Sequence, residues 1–205
     1  MIVKICGIRT EEAARTAVEA GAGLLGLNFV PASSRFLSFT QAQEIMKAVP
    51  AKGRYVGVFQ DEIVETLLFL AESLSLDYVQ LHGNDDLDVV REAKKKGLSV
   101  IKAFNLSADF DLEELAPLLR EYQPYVSYFL FDREKQGEGD SLNLQSVREL
   151  THEFDIILAG GLNPENVTAA VTLANPIGVD VAGGVETKGE QDMEKVRQFI
   201  TNATA

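Results

Sequence analysis

Two stretches near the C-terminus, Ile157-Leu158-Ala159-Gly160-Gly161-Leu162 and Val179-Asp180-Val181-Ala182-Gly183-Gly184-Val185, decide how the rest of this chain is read. Each is a short apolar run that stops at a glycine pair. A strand ending in this way can turn sharply and present backbone N–H groups to an anion, and a helix beginning just beyond adds the positive end of its dipole. One copy alone reads as a tight turn. Two side by side read as a phosphate cradle formed by Gly160, Gly161, Gly183 and Gly184. Gly160 and Gly183 stand 23 positions apart, about the length of one strand-helix unit, so the spacing also serves as a ruler.

Laid along the chain, that unit recurs. Short β-rich runs fall at about 2–6, 24–29, 54–59, 77–81, 99–104 and 126–131, before the two runs quoted above. Helical segments lie between them. Thr10, followed by Glu11 and Glu12, reads as the cap and first turn of one helix, and Thr40 as the cap of the next. Ile63, Leu67, Leu70 and Leu74 form the clearest helical stripe, and the segment 85–96 ends in lysines before Gly97. Pro117 predicts a kink or early stop in the helix that starts near 111. Asn163 with Pro164 reads as cap and first helical residue of the seventh helix, and the last helix, from about 191, turns Met193, Val196, Phe199 and Ile200 inward. Eight strands alternating with eight helices predict a parallel sheet closed into a (β/α)8 TIM barrel over residues 1–205, near the minimal size for that fold. An open doubly wound sheet is the alternative. The first strand's turn lacks the Gly-x-Gly-x-x-Gly fingerprint, and the phosphate-type glycines sit at units seven and eight, where barrels bind phosphate.

Composition narrows the function. A hydrophobic fraction of 46% suits a packed core, and no apolar stretch approaches the roughly 20 residues of a membrane span. A cytoplasmic protein without a membrane partner is expected. The net charge of -12 disfavours nucleic acid, whose backbone is bound through accumulated Lys and Arg, yet leaves room for a small anion at a local cluster of donors. One cysteine and two histidines give no zinc spacing, so neither metal nor disulfide is expected.

In a barrel the site lies at the C-terminal ends of the strands, and few polar residues stand there. Lys4 and Cys6 are two apart and share a face. Cys6 reads either as a small buried hydrophobe or as a thiolate favoured by the ammonium beneath it. Gln80 and His82 share a face before Gly83, with a structural and a site reading both open for His82. Asp132 follows Tyr128-Phe129-Leu130-Phe131; it is a turn aspartate or, in apolar surroundings that raise a carboxyl pKa, a general acid. Arg35, in the loop after the second strand, is a solvated salt-bridge partner or a bidentate ligand for a substrate carboxylate. Asp180 could orient the last glycine turn or touch ligand.

Taken together, Lys4-Ile5-Cys6-Gly7-Ile8, Val79-Gln80-Leu81-His82-Gly83, Phe131-Asp132, Leu158 to Val167, and Val179-Asp180 with Gly184-Val185-Glu186 resemble the phosphoribosylanthranilate isomerases of tryptophan biosynthesis, in order and over nearly the whole chain. The resemblance implies an Amadori rearrangement of the ribosylamine of anthranilate to a 1-deoxyribulose ketone, with a phosphosugar substrate, no cofactor and a monomeric or homodimeric protein. It implies Asp132 as the acid on the ring oxygen, Cys6 as the base at C2, Arg35 on the anthranilate carboxylate, His82 shaping that pocket and the glycine turns holding the phosphate. The chain also departs from the family. The usual Gly-Gly-Thr-Gly-Lys after the aspartate reads Gln136-Gly137-Glu138-Gly139-Asp140, and Ser-Ser-Gly-Val-Glu reads Ala182-Gly183-Gly184-Val185-Glu186. Reversing one charge near a phosphate costs on the order of one to several kcal/mol, or tenfold and more in binding. Two alternatives follow: a paralogous barrel for a different small phosphosugar or anion, and a non-catalytic barrel.

Overall fold

The computed structural model describes residues 1–51, 54–133 and 142–205. Eight parallel strands, β1 (Ile2–Cys6), β2 (Leu24–Asn28), β3 (Tyr55–Phe59), β4 (Tyr78–Leu81), β5 (Val100–Leu106), β6 (Tyr128–Arg133), β7 (Ile156–Leu158) and β8 (Gly178–Val181), pair in chain order and close when β8 meets β1. The helices α1 (Glu11–Ala20), α2 (Phe39–Ala48), α3 (Val64–Leu74), α4 (Leu87–Lys95), α5 (Leu112–Tyr122), α6 (Leu144–Thr151), α7 (Val167–Ala174) and α8 (Met193–Ala203) alternate with them. The predicted (β/α)8 barrel is the observed fold. Among the described residues no helix is long and apolar enough to cross a membrane.

Two shells of apolar packing hold the barrel, because strand side chains alternate between its faces. Outward residues such as Ile5, Leu25, Leu81, Phe129 and Val179 are buried against the helices, where Leu67 of α3 and Phe199 of α8 lie fully covered. Inward residues Leu24, Val56, Ile101, Ala103, Leu130, Ile157 and Ala159 fill the lumen. The same alternation turns Lys4 and Cys6 of β1, Gln80 of β4, Asp132 of β6 and Asp180 of β8 toward the mouth.

Several local expectations shift, each for a physical reason. Thr10 does cap α1, accepting from the Ala13 amide. The cap of α2 is Ser38 rather than Thr40, because Gln41 closes a capping box with it. Ile63 is the N-cap of α3 and stands exposed, so the buried stripe is Val64, Leu67, Ala71 and Leu74. Pro117 does not end α5, which runs on to Tyr122 with Leu119 and Tyr122 anchored in the core. Asn163 caps a turn before α7 by accepting from the Glu165 and Asn166 amides, and the helix begins at Val167, after Pro164. An unforeseen antiparallel hairpin, β9 (Glu186–Thr187) with β10 (Glu190–Gln191), follows β8.

Candidate active site

The polar side chains singled out from sequence gather at the C-terminal mouth, with Lys4 buried beneath them. Two neighbouring cavities open there. One, of about 300 Å³, is lined by Cys6, Arg35, Gln80, His82, Asn105 and Asp132 among others. The other, of about 440 Å³, is lined by Gly160, Gly161, Gly183, Gly184 and Arg133. Asp132, Asp180 and Ala182 border both.

At the floor lies a buried ion pair. The register of the closing strands sets Lys4 opposite Asp180, and Lys4 Nζ lies 2.9 Å from Asp180 Oδ1 with the lysine fully buried. Burial works against the Lys4 charge, but Asp180 and the neighbouring Cys6 more than offset it, so the ammonium is held firmly protonated. Cys6 stands one pleat above. Opposite it in β2 is Gly26, where even a methyl group would come within 2.8 Å of Cys6 Sγ, so the glycine makes room for the thiol. The thiol pKa goes up rather than down. Burial raises it, Asp180 adds to that rise, and the lowering by Lys4 and Arg35 does not overcome them. Of the two readings of Cys6, the ionised one is therefore not favoured at rest: burial opposes it first, and Lys4, though beneath the thiol, shares its charge with Asp180.

Across the mouth, Asp132 is buried and its pKa is also raised, chiefly by desolvation and further by Asp180, against lowering from His82 and Arg133. The Arg133 amide donates to Asp132 Oδ1 at 2.8 Å. His82 faces the other oxygen. Gln80 Nε2 lies 3.0 Å from His82 Nδ1, and His82 Nε2 lies 3.2 Å from Asn105 Oδ1 and 3.6 Å from Asp132 Oδ2. The turn that carries His82 is braced from outside the barrel, where buried Lys102 of β5 donates to the Gly83 carbonyl at 2.9 Å.

Arg35 comes from the β2–α2 loop. Its Nε and Nη2 grip Glu186 at 2.7 and 2.8 Å, joining that loop to the β9 strand after the last glycine turn. This fork leaves Nη1 without an acceptor among the described residues.

The glycine turns have distinct reasons to be glycine. Gly160 and Gly161 sit at φ of 87° and 76°, which L side chains rarely adopt. Gly184 passes so close to the Leu162 carbonyl that any side chain would overlap it. Gly183 is under neither constraint: a Cβ there would meet only Arg35 Nη2, at 3.4 Å. None of the four N–H groups finds an acceptor among the described residues. The departure at Gln136 to Asp140 lies outside those residues, whereas Ala182 and Gly183 do stand at the cavity wall without hydroxyls.

The structure thus brings together all nine residues proposed from sequence. Asn105, Arg133 and Glu186 were missed as site residues. Asn105 and Arg133 had a signal in their strand-end positions, Arg133 directly after Asp132, while the pairing of Glu186 with Arg35 spans most of the chain. Among the described residues no cluster of three or more His, Cys, Asp or Glu side chains is arranged to hold a metal ion.

The chain is similar to known proteins over nearly its whole length. The model of the N-(5'-phosphoribosyl)anthranilate (PRA) isomerase family matches residues 3–202. An N-(5'-phosphoribosyl)anthranilate isomerase from Oceanobacillus iheyensis is 39% identical, with 98% of this chain and 96% of the relative aligned. The crystal structure of phosphoribosyl anthranilate isomerase from Thermotoga maritima superposes with a TM-score of 0.89 at 34% identity, covering 100% of this chain and 99% of that one. A phosphoribosyl anthranilate isomerase solved with reduced 1-(o-carboxyphenylamino)-1-deoxyribulose 5-phosphate superposes with a TM-score of 0.86, also at 34% identity, covering 100% and 99% of the two chains.

Proposed function

Since this chain belongs to the N-(5'-phosphoribosyl)anthranilate isomerase family and catalyses the Amadori rearrangement of that pathway to tryptophan, we propose that Cys6 is its base and Asp132 its acid. The readings as a paralogue for another phosphosugar and as a non-catalytic barrel give way to the identity over 98% of the chain.

The observation that carries the assignment is that Cys6 and Asp132 line one cavity, together with Arg35 and His82, and that this cavity shares Asp132, Asp180 and Ala182 with the glycine pocket beside it. A sugar spanning the two cavities has the thiol on one side and the carboxyl on the other. Asp132, whose burial favours the protonated form, gives its proton to the ring oxygen; the C1–O bond breaks and the anthranilate nitrogen lone pair forms the C1=N iminium. Cys6, as thiolate, takes the proton from C2. Those electrons form the C1=C2 double bond of an enolamine and neutralise the iminium, and the enolamine tautomerises to the C2 ketone with a proton added at C1. Nη1 of Arg35, the edge not engaged by Glu186, pairs with the anthranilate carboxylate, and His82 flanks the same subsite. Gly160, Gly161, Gly183 and Gly184 bind the phosphate through their N–H groups, which fixes the sugar between base and acid. Asp180 acts one step back, by holding Lys4 under the thiol.

The reading carries with it the cytoplasm as compartment and a small-molecule partner rather than nucleic acid. Loss of phosphoribosylanthranilate fluorescence, followed with the parent, Cys6→Ala and Asp132→Asn, tests it. Each single change is expected to lower kcat by 10²-fold or more with little change in the melting temperature. A folded Cys6→Ala variant that turns over at the parental rate would rule out the thiol as base, and the same result for Asp132→Asn would rule out the carboxyl as acid.

A further inference from the structure

Neither Ala182 nor Gly183 brings a hydroxyl to the glycine cavity, and the one cationic side chain in its wall, among the described residues, is Arg133. Arg133, the last residue of β6, turns its guanidinium over the first glycine turn. Its Cζ, Nη1 and Nη2 lie 3.0, 3.1 and 3.2 Å from the position a Cβ would take on Gly161, so the group rests on the bare face of that glycine. It borders the 440 Å³ cavity and an adjoining one of about 290 Å³ lined by Leu142, Leu158 and Asn166 among others. The buried Nε has no hydrogen-bond partner, and no carboxylate lies within ion-pair distance of the guanidinium among the described residues.

The other cations at this rim are committed. Arg35 is forked onto Glu186, Lys195 donates to the Glu186 carbonyl at 3.0 Å, and Lys4 is held by Asp180. Two aspartates, Asp132 and Asp180, border the cavity and oppose an entering anion. Four uncommitted glycine N–H groups supply geometry but no net charge, so a dianion brought here needs a positive side chain.

We propose that Arg133 binds the substrate's phosphate monoester as its cationic ligand. The inference rests on the reading above that the glycine pocket is the phosphate subsite. A guanidinium presents parallel N–H donors that match two oxygens of a phosphate, and it adds the net positive charge that the glycine N–H groups lack. Its position next to Asp132 adds a second effect, because phosphate bound to Arg133 couples the remote anchor to the residue proposed as acid.

The test uses the full chain as parent, Arg133→Ala, Arg133→Gln and Arg133→Lys. Binding of inorganic phosphate is measured by calorimetry at two ionic strengths, alongside KM and kcat for the fluorescent substrate. Arg133→Ala and Arg133→Gln are expected to weaken phosphate binding and raise KM by about tenfold or more, with a smaller salt dependence, and Arg133→Lys to recover part of both. Arg133→Gln keeps the stem and its packing, so a loss shared with Arg133→Ala reports the charge. If phosphate binds the parent and both neutral variants equally, the pocket reading stands and the role of Arg133 falls. If phosphate fails to bind or compete in the parent, the pocket reading itself falls and takes this inference with it.

Discussion

The substitution Asp180→Asn separates two consequences of the floor ion pair that move in opposite directions. Asparagine keeps the shape of aspartate and an oxygen 2.9 Å from Lys4 Nζ, but removes the charge that compensates a fully buried ammonium. Breaking such a pair by neutralising one partner costs about 3–5 kcal/mol. At an unfolding entropy of about 2.1 cal/mol/K per residue, or about 0.43 kcal/mol/K for the chain, the melting temperature falls by about 7–12 °C. The thiol responds the other way. Asp180 raises the Cys6 pKa and Lys4 lowers it, so without the carboxylate the ammonium acts on Cys6 alone and the thiol ionises at lower pH. Because Cys6 is the only cysteine, the pH dependence of its alkylation by iodoacetamide reports this directly. The two effects are linked. Ionised Cys6 gives Lys4 back a counter-charge, and the variant releases that proton earlier than the parent, so its stability deficit is greatest in acid and shrinks as pH rises. A variant that melts within about 2 °C of the parent, with an unmoved alkylation profile, would refute the electrostatic account of the barrel floor.

The pH–rate profile should be a broad bell. Both groups are raised, Asp132 from 3.8 and Cys6 from 9.0, so the acid limb belongs to the carboxyl and the alkaline limb to the thiol. The reactive form, thiolate with protonated carboxyl, is then a minor species whose fraction is constant between the limbs. Residual activity of Asp132→Asn should climb into the alkaline range and level off; a parental bell in that variant would count against the assignment. At the second glycine turn, Gly184→Ala drives a methyl into the Leu162 carbonyl and should cost about 1–3 kcal/mol or more in thermal or denaturant unfolding. Gly183→Ser fits without strain, should leave the melting temperature unchanged and, by returning a hydroxyl to the phosphate pocket, should lower KM by up to about tenfold. A raised KM in Gly183→Ser would contradict the placement of phosphate there.

The barrel was legible in the sequence because its signal is repetitive: eight apolar runs at unit spacing, each followed by a helical segment, need no knowledge of contacts. The facing of Lys4 and Cys6 was legible for a similar reason, since a strand's period of two is local. What local pattern cannot carry is partnership across the closed sheet. Asp180 lies 176 residues from Lys4, and only closure makes them neighbours, so the lysine alone showed one side of the balance that sets the Cys6 shift and left its two readings open. Burial is hidden in the same way, because the desolvation of a thiol depends on how fully the lumen covers it. Ser38 took the cap from Thr40 through a side-chain bond to Gln41, and Pro117 was overridden by the anchoring of Leu119 and Tyr122. Arg133 was hidden in plain view, its position after Asp132 giving no hint that its head would lie over Gly161.

The Lys4–Asp180 contact also sets a timetable. During synthesis β1 emerges first, yet its lysine has no burial partner until β8 has been made. At 5–20 residues per second, those 176 residues take roughly 10–35 s. Throughout that interval Lys4 must stay hydrated and the first strand must stay undocked on one side. A chain cut short before Asp180 therefore lacks more than a strand: it cannot seal its own first residues into the lumen, and the thiol is never assembled into its working environment.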